Sequence, residues 1–184
     1  MKRIFDFIVS LVFLILFFPF ILLISLAILL ESKGGVIFTQ ERVGQSAKPF
    51  QMYKFRSMVA GADQKGPYFT AKGDTRITKI GAFLRKTSLD ELPQLLNVLI
   101  GNMSLVGPRP DVFAQRANYT QEEWEKRTRV KPGITGLAQA TIRNVGGPDQ
   151  RTALDLEYVD NASFWLDLKI LLLTVKQILF KGSH

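Results

Sequence analysis

The sequence predicts a helix-rich α+β fold: a Pro-broken, re-entrant membrane helix over residues 1–31, then a small cytoplasmic domain over residues 32–184. Three observations carry this. An apolar run opens the chain, two β-rich runs flank a short Gly-containing gap, and the remaining periodic segments have helical spacing. The domain contains a short β-hairpin and closes with an amphipathic, interfacial helix.

Phe7 to Leu30 is a run of 24 residues whose only polar side chains are Ser10 and Ser25. As one helix it measures ~36 Å, enough for a bilayer core of roughly 30 Å. A signal peptide fits poorly, because the run is too long and no small-residue cleavage site precedes Glu31. Pro19 removes a backbone donor near the middle, so the helix should kink or break there. The expected halves are Ile4–Phe18 and Phe20–Leu30. Both flanks are basic, with Lys2 and Arg3 before the run and Lys33, Arg42 and Lys48 after it. That pattern favours both ends on the cytoplasmic side, hence re-entry, with a kinked single span as the alternative.

Val36–Thr39 and Phe50–Phe55 read as strands of a hairpin joined through Gly44 to Ala47. Ala60–Asp74 is polar and Gly-containing, either a lid or an ordinary surface loop. Ile77–Lys86 is an amphipathic helix, and Leu92–Ile100 a second one ended by Gly101-Asn102. Gly107–Pro110 is a rigid turn, and Glu122–Arg129 a charged helix stopped before Pro132. Leu154–Asp160 and Phe164–Phe180 are helical. In the last helix Phe164, Leu168, Leu171, Leu172 and Val175 form a stripe suited to core packing. Trp165 and the lysines also suit a helix lying on a bilayer.

Composition narrows the chemistry. The 184 residues include 24 Lys and Arg against 16 Asp and Glu, a net charge of +8. No cysteine is present and the sole histidine is His184, which excludes thiol nucleophiles, Ser-His-Asp triads and His-based metal clusters. Catalysis must run on carboxylates, Arg, Lys and an oxygen-bound divalent metal. Beyond residue 30 the charge is still +7, which suits anionic headgroups and phosphate ligands. No basic helix or nucleic-acid-binding motif is present, so nucleic acid is not an expected partner.

Four segments could carry that chemistry. Ser88-Leu89-Asp90-Glu91-Leu92-Pro93 begins a helix with paired carboxylates. Asp90 lies at or near the N-cap, where partial positive charge favours its ionised form. Ordinary capping competes with a chemical role, because Ser88 and Glu91 also match a capping box. Arg109, between Pro108 and Pro110, is either a pre-oriented phosphate ligand or a solvated turn residue. Lys54 and Arg56 share one face of a strand. Pro132 and Gly133 belong to a loop whose amides could approach a phosphate, or to a generic Gly-Pro turn.

Taken in order, these segments resemble one family. The apolar N-terminus is followed by Lys54-Phe55-Arg56-Ser57-Met58, Ser88-Leu89-Asp90-Glu91-Leu92-Pro93-Gln94 and Asn102-Met103-Ser104-Leu105-Val106-Gly107-Pro108-Arg109-Pro110. Lys131-Pro132-Gly133-Ile134-Thr135-Gly136, Asp155-Leu156-Glu157-Tyr158 and Ser163-Phe164-Trp165-Leu166-Asp167-Leu168-Lys169-Ile170 complete the series. The chain resembles the bacterial sugar transferases, the monotopic phosphoglycosyl transferases, in the short form of their minimal catalytic unit.

The resemblance implies transfer of sugar-1-phosphate from a UDP-sugar to polyprenol (undecaprenyl) phosphate with release of UMP, at the cytoplasmic face of a bacterial inner membrane. It implies Asp90 as nucleophile, forming an aspartyl phosphosugar in a ping-pong sequence, and Mg²⁺ held by Asp90 and Glu91. Lys54, Arg56, Arg85, Arg109, Pro132, Gly133 and Asp155 become the expected substrate-binding residues. The expected partners are the UDP-sugar, the polyprenol phosphate and the lipid bilayer, with a homodimer as an open alternative to a monomer. One departure is visible. The family turns its membrane helix at a Ser-Pro pair, whereas this chain has Phe18-Pro19. A reading from another class is a membrane-docked scaffold in which the acidic pair only caps a helix.

Overall fold

The computed structural model describes residues 1–62, 73–142 and 146–181. The stretch expected as a lid or loop, Ala60–Asp74, therefore lies largely outside the described residues. The chain forms an α+β, helix-rich structure around two small sheets, with its core between β-strands and the helices that follow them.

Helix α1 (Lys2–Glu31) is continuous and contains Pro19. The expected division into two helices at Pro19 is not observed. Proline removes only the bond to the Ile15 carbonyl. Leu14 on one side and Ile21 on the other pack against the domain and hold the flanking turns. Phe5, Val9, Ile24 and Ile28 also pack on the domain, while the opposite face of the helix is apolar and exposed, including Ile15, Leu16, Phe18, Phe20 and Leu23. It is the single helix among the described residues long and apolar enough to cross a membrane.

Both ends of α1 are fixed to the same domain. At the start, Lys2 pairs with Asp167 and donates to the Val106 carbonyl (3.2 Å). Arg3 donates to the carbonyls of Val98 and Leu99. Asp6 is buried, and its carboxylate accepts from the Ser104 hydroxyl at 2.8 Å, which offsets its desolvation. At the far end, Arg56 donates to the carbonyls of Ser32 (2.7 Å) and Lys33 (3.0 Å). The Glu31 carboxylate accepts from the backbone of Lys79 at 2.8 Å.

Strands β1 (Ile37–Val43) and β2 (Pro49–Phe55) form the antiparallel hairpin, in register from Ile37 opposite Phe55 to Val43 opposite Pro49. Phe50 and Met52 point into the main core, while Phe55, on the opposite face, meets Ile28 and Leu84. Helix α2 (Lys79–Thr87) is capped by Thr78, whose hydroxyl accepts from the Gly81 amide. Gly81 is required because a Cβ there would lie 2.0 Å from the Ser57 carbonyl oxygen. Helix α3 (Gln94–Ile100) ends at Gly101, which adopts φ of +95° as the sequence led one to expect.

Asn97 on α3 ties that helix to the open edge of β2. Its side chain accepts from the Tyr53 amide (2.9 Å) and donates to the Gln51 carbonyl (2.7 Å). An edge strand's free backbone groups are thereby satisfied, and the α3 entrance is fixed relative to Lys54.

Strand β3 (Ser104–Val106) pairs in parallel with β4 (Gly133–Thr135), Ser104 opposite Gly133 and Val106 opposite Thr135. This pairing brings the Pro-Arg-Pro turn beside the loop that was expected to be free for ligand. A Cβ at Gly133 would lie 2.1 Å from the Gly107 nitrogen, so this glycine serves backbone-to-backbone contact. Between these strands, α4 (Gln121–Arg127) has the Thr120–Glu123 capping box. Helices α5 (Leu137–Thr141), α6 (Pro148–Asn161) and α7 (Phe164–Lys181) complete the domain. Ile170 of α7 is fully buried, whereas Trp165, Leu172 and Val175 are exposed.

Candidate active site

The acidic pair sits on a 3₁₀ turn, Leu89–Glu91, between α2 and α3. Ser88 closes α2 in the left-handed conformation (φ 58°), and its side chain makes no capping bond. Pro93, not Asp90, is the N-cap of α3. The capping-box alternative for Ser88 and Glu91 is therefore not what the structure contains. The carboxylate of Glu91 is directed elsewhere: its Oε1 accepts from Lys54 Nζ at 2.8 Å and from Arg109 Nη2 at 2.7 Å.

Three parts of the chain thus meet at Glu91. Lys54 arrives from the end of β2, Arg109 from the turn after β3, and the acid pair from the α2–α3 junction. Burial alone would raise the Glu91 pKa, but Arg109 and then Lys54 outweigh it and bring it down to about 2. Burial lowers the Lys54 pKa against the opposing pull of Glu91. Arg109 remains about half exposed, with a side-chain accessibility of 53%.

Asp90 differs from its neighbour. It is buried, yet among the described residues its carboxylate has no hydrogen bond or ion pair. Burial raises its pKa. Lys54, Arg85 and Arg109 oppose that shift, while Glu91 adds to it. Arg85, on the last turn of α2, donates to the Ser57 hydroxyl at 2.8 Å. A desolvated carboxylate facing three cations has few competing partners and a strong preference for an electrophilic or cationic one.

Not every expected site residue joins this group. Arg56, expected to share a strand face with Lys54, lies just past the end of β2 at Phe55, and its guanidinium clasps the end of α1. Pro132 and Gly133 are absorbed by the β3–β4 pairing, the Pro132 carbonyl accepting from the Ser104 amide at 2.9 Å. Asp155 acts one step away. Its Oδ2 accepts from Arg127 Nε at 3.0 Å, and Arg127 also pairs with Asp111 at 2.8 Å. Arg127 Nη2 then donates to the Arg109 carbonyl at 2.6 Å. The Tyr119 hydroxyl donates to Asp111 at 2.8 Å.

Asp111 and Arg127 were not singled out in the sequence. Arg127 reads there as one more charge on a polar helix. The position of Asp111 immediately after Pro108-Arg109-Pro110 was the only local hint. The buried network they form holds the backbone of the Arg109 turn, and Asp155 Oδ1 is a buried atom without a partner.

For a metal, the described residues contain no group of three or more acidic or His side chains. Mg²⁺ needs fewer, since it commonly takes one or two carboxylates together with substrate phosphates and water. The carboxylate of Asp90 and the Oε2 of Glu91, neither engaged by another described residue, fit that requirement.

Paired carboxylates thus stand amid fixed cations in a domain that holds, at both ends, a helix long and apolar enough to cross a membrane. The chain belongs to the bacterial sugar transferase family, whose model matches residues 1–181. It is 46% identical to a UDP-glucose:undecaprenyl-phosphate glucose-1-phosphate transferase of Klebsiella pneumoniae, over 98% of this chain and 40% of that protein. A transferase of the same name from Escherichia coli K12 is 44% identical over 99% of this chain and likewise 40% of its own length. The exopolysaccharide production protein PSS of Rhizobium leguminosarum is 45% identical over the whole of this chain and 97% of that protein. The chain thus spans about two fifths of the length of the first two relatives.

Proposed function

We propose that this protein transfers sugar-1-phosphate from a UDP-sugar to a polyprenol phosphate, with Asp90 as the nucleophile. One observation carries the division of labour within the acidic pair. Glu91 is clamped by two cations, whereas the carboxylate of Asp90 beside it, in the same field, has no partner among the described residues. The printed activities of the Klebsiella and Escherichia relatives support the donor and acceptor classes.

In the proposed reaction an Asp90 carboxylate oxygen attacks the β-phosphorus of the donor. The bond from that phosphorus to the oxygen bridging to the α-phosphate breaks, and UMP leaves with that oxygen. The product on the protein is an acyl phosphate bearing the sugar. A phosphate oxygen of the polyprenol phosphate then attacks the same phosphorus, giving polyprenyl diphosphate sugar and regenerating the carboxylate. Lys54, Arg85 and Arg109 favour the ionised nucleophile and stabilise charge on the transferring phosphoryl group. Glu91 orients Lys54 and Arg109, while Arg127 with Asp111 and Asp155 holds the Arg109 backbone. Asp90 and Glu91 would hold Mg²⁺, which when bound would neutralise part of the diphosphate charge.

The proposed setting is the cytoplasmic face of a bacterial inner membrane. The attachment of both ends of α1 to one domain supports entry and exit through the same leaflet, with Pro19 near the deepest point. The exposed apolar face of α1 is the part in lipid. The exposure of Trp165, Leu172 and Val175 supports a position of α7 along the interface.

The test is UMP release from a panel of UDP-sugars with Mg²⁺ and polyprenol phosphate, for the wild type and Asp90→Asn. The expected result is release from one donor, abolished in the variant. Near-normal turnover by Asp90→Asn would remove Asp90 from the role.

A further inference from the structure

A second cationic site lies at the opposite ends of β2 and α3 from the acidic pair. A cavity of about 210 Å³ is lined by Lys48, Pro49, Phe50, Gly101, Asn102 and Lys131, among others. Phe50 and Lys54 are four residues apart on β2, ~13 Å along a strand. No residue named above in the proposed reaction lines this cavity.

Three cations converge there. A Cβ at Gly101 would lie 3.2 Å from Arg3 Nη2 and 3.6 Å from Lys131 Nζ, so both groups crowd the same glycine. Arg3 is engaged by the carbonyls of Val98 and Leu99. Lys48 and Lys131 have no hydrogen bond or ion pair among the described residues. The carboxylate whose charge acts on Lys131, Asp6, is already bonded to Ser104. Burial and the charge of Arg3 lower the Lys131 pKa, as expected for a cation without a counter-ion. Two uncommitted ammonium groups beside a fixed guanidinium, with Pro49 and Phe50 on one wall, suit a phosphate ester.

Size and position select among phosphate esters. The cavity is smaller than the ~300–1,000 Å³ of pockets that enclose drug-sized ligands, so it suits a headgroup and not a whole nucleotide sugar. Arg3 stands one residue before Ile4, where the exposed apolar surface of α1 begins. In the membrane setting proposed above, on which this inference rests, the cavity therefore lies where headgroups meet the acyl region, and basic pockets at that level bind anionic lipids. We propose that this cavity binds the phosphate of an anionic membrane lipid headgroup, with Lys48 and Lys131 as its ligands. The proposal is independent of the role of Asp90.

The experiment is thermal unfolding of the full chain in a non-ionic detergent, titrated separately with short-chain phosphatidylglycerol, short-chain phosphatidylcholine and inorganic phosphate. The expected result is a saturable rise in Tm with phosphatidylglycerol, matched by neither of the others. In Lys48→Gln/Lys131→Gln the apparent Kd for phosphatidylglycerol should weaken about 30-fold. Replacing both lysines by Arg should preserve the response. The lipid-free Tm reports folding, and the exposed Lys48→Gln alone, expected to weaken binding about 5-fold, serves if the double variant fails to fold. An unchanged response in the Gln variants would overturn the proposal, as would phosphatidylcholine matching phosphatidylglycerol. Inorganic phosphate producing the same rise at the same concentration would assign the cavity to a soluble anion and overturn the lipid reading.

Discussion

Arg127→Met should be the most damaging single change outside the acidic turn. Arg127 is 6% exposed and joins Asp111, Asp155 and the Arg109 carbonyl. Methionine fills similar space but leaves two buried carboxylates without the cation that joins them, with only the more distant charge of Arg151 acting on Asp155. Removing one partner of a buried ion pair typically costs about 3–5 kcal/mol. For a domain of this length that is a Tm loss of about 6–20 °C. The loss should shrink on acidification, because burial already pushes the Asp155 pKa up and protonation relieves the orphaned charge. Adding Asp111→Asn and Asp155→Asn to Arg127→Met should restore most of the lost stability, since the cost arises from unpaired charge and not from lost volume. Thermal unfolding in detergent at pH 5 and pH 8 measures all of this. A Tm within 2 °C of wild type for Arg127→Met would refute the reasoning, as would a triple variant no more stable than the single one.

Further outcomes follow from the same geometry. Glu91 has a folded pKa of about 2 against an ordinary 4.5, so its ion pairs contribute stability that is complete above pH 4.5 and is lost as pH falls toward 2. The shift corresponds to about 3 kcal/mol, and Glu91→Gln should flatten that acid limb of the Tm-against-pH curve. Gly133→Ala places a methyl group against the Gly107 backbone and should cost about 3 kcal/mol or more, read as a lower Tm together with weaker donor binding through the displaced Arg109 turn.

Much of the scaffold was legible because local signals sufficed. Two β-rich runs around Gly44–Ala47 marked the hairpin, Gly101 marked the end of α3, and an unbroken apolar run marked α1. The acidic turn was legible as a candidate but its geometry was not. Whether Glu91 caps a helix or holds Lys54 and Arg109 depends on strands 37 and 18 residues away in sequence. The β3–β4 pairing was missed for a related reason. Each strand has only three residues, and the partners are separated by the whole of α4, so no periodicity announces them. Arg56 shows the limit of strand alternation. The pattern put it on the strand face of Lys54, whereas β2 ends at Phe55 and the long Arg56 side chain reaches the carbonyls ending α1. Pro19 shows the converse: a strong local breaker inside a helix that tertiary contacts on both sides keep continuous.

The central claim is that Asp90 carries the phosphosugar. It is tested most directly by mixing the full chain with Mg²⁺ and a UDP-sugar labelled in the sugar, without polyprenol phosphate, and analysing the protein by mass spectrometry. The account requires up to one equivalent of UMP released, with one phosphosugar attached at Asp90 and discharged when polyprenol phosphate is added. Turnover that proceeds with acceptor present, but with no label on the protein and no UMP before acceptor is added, would contradict it.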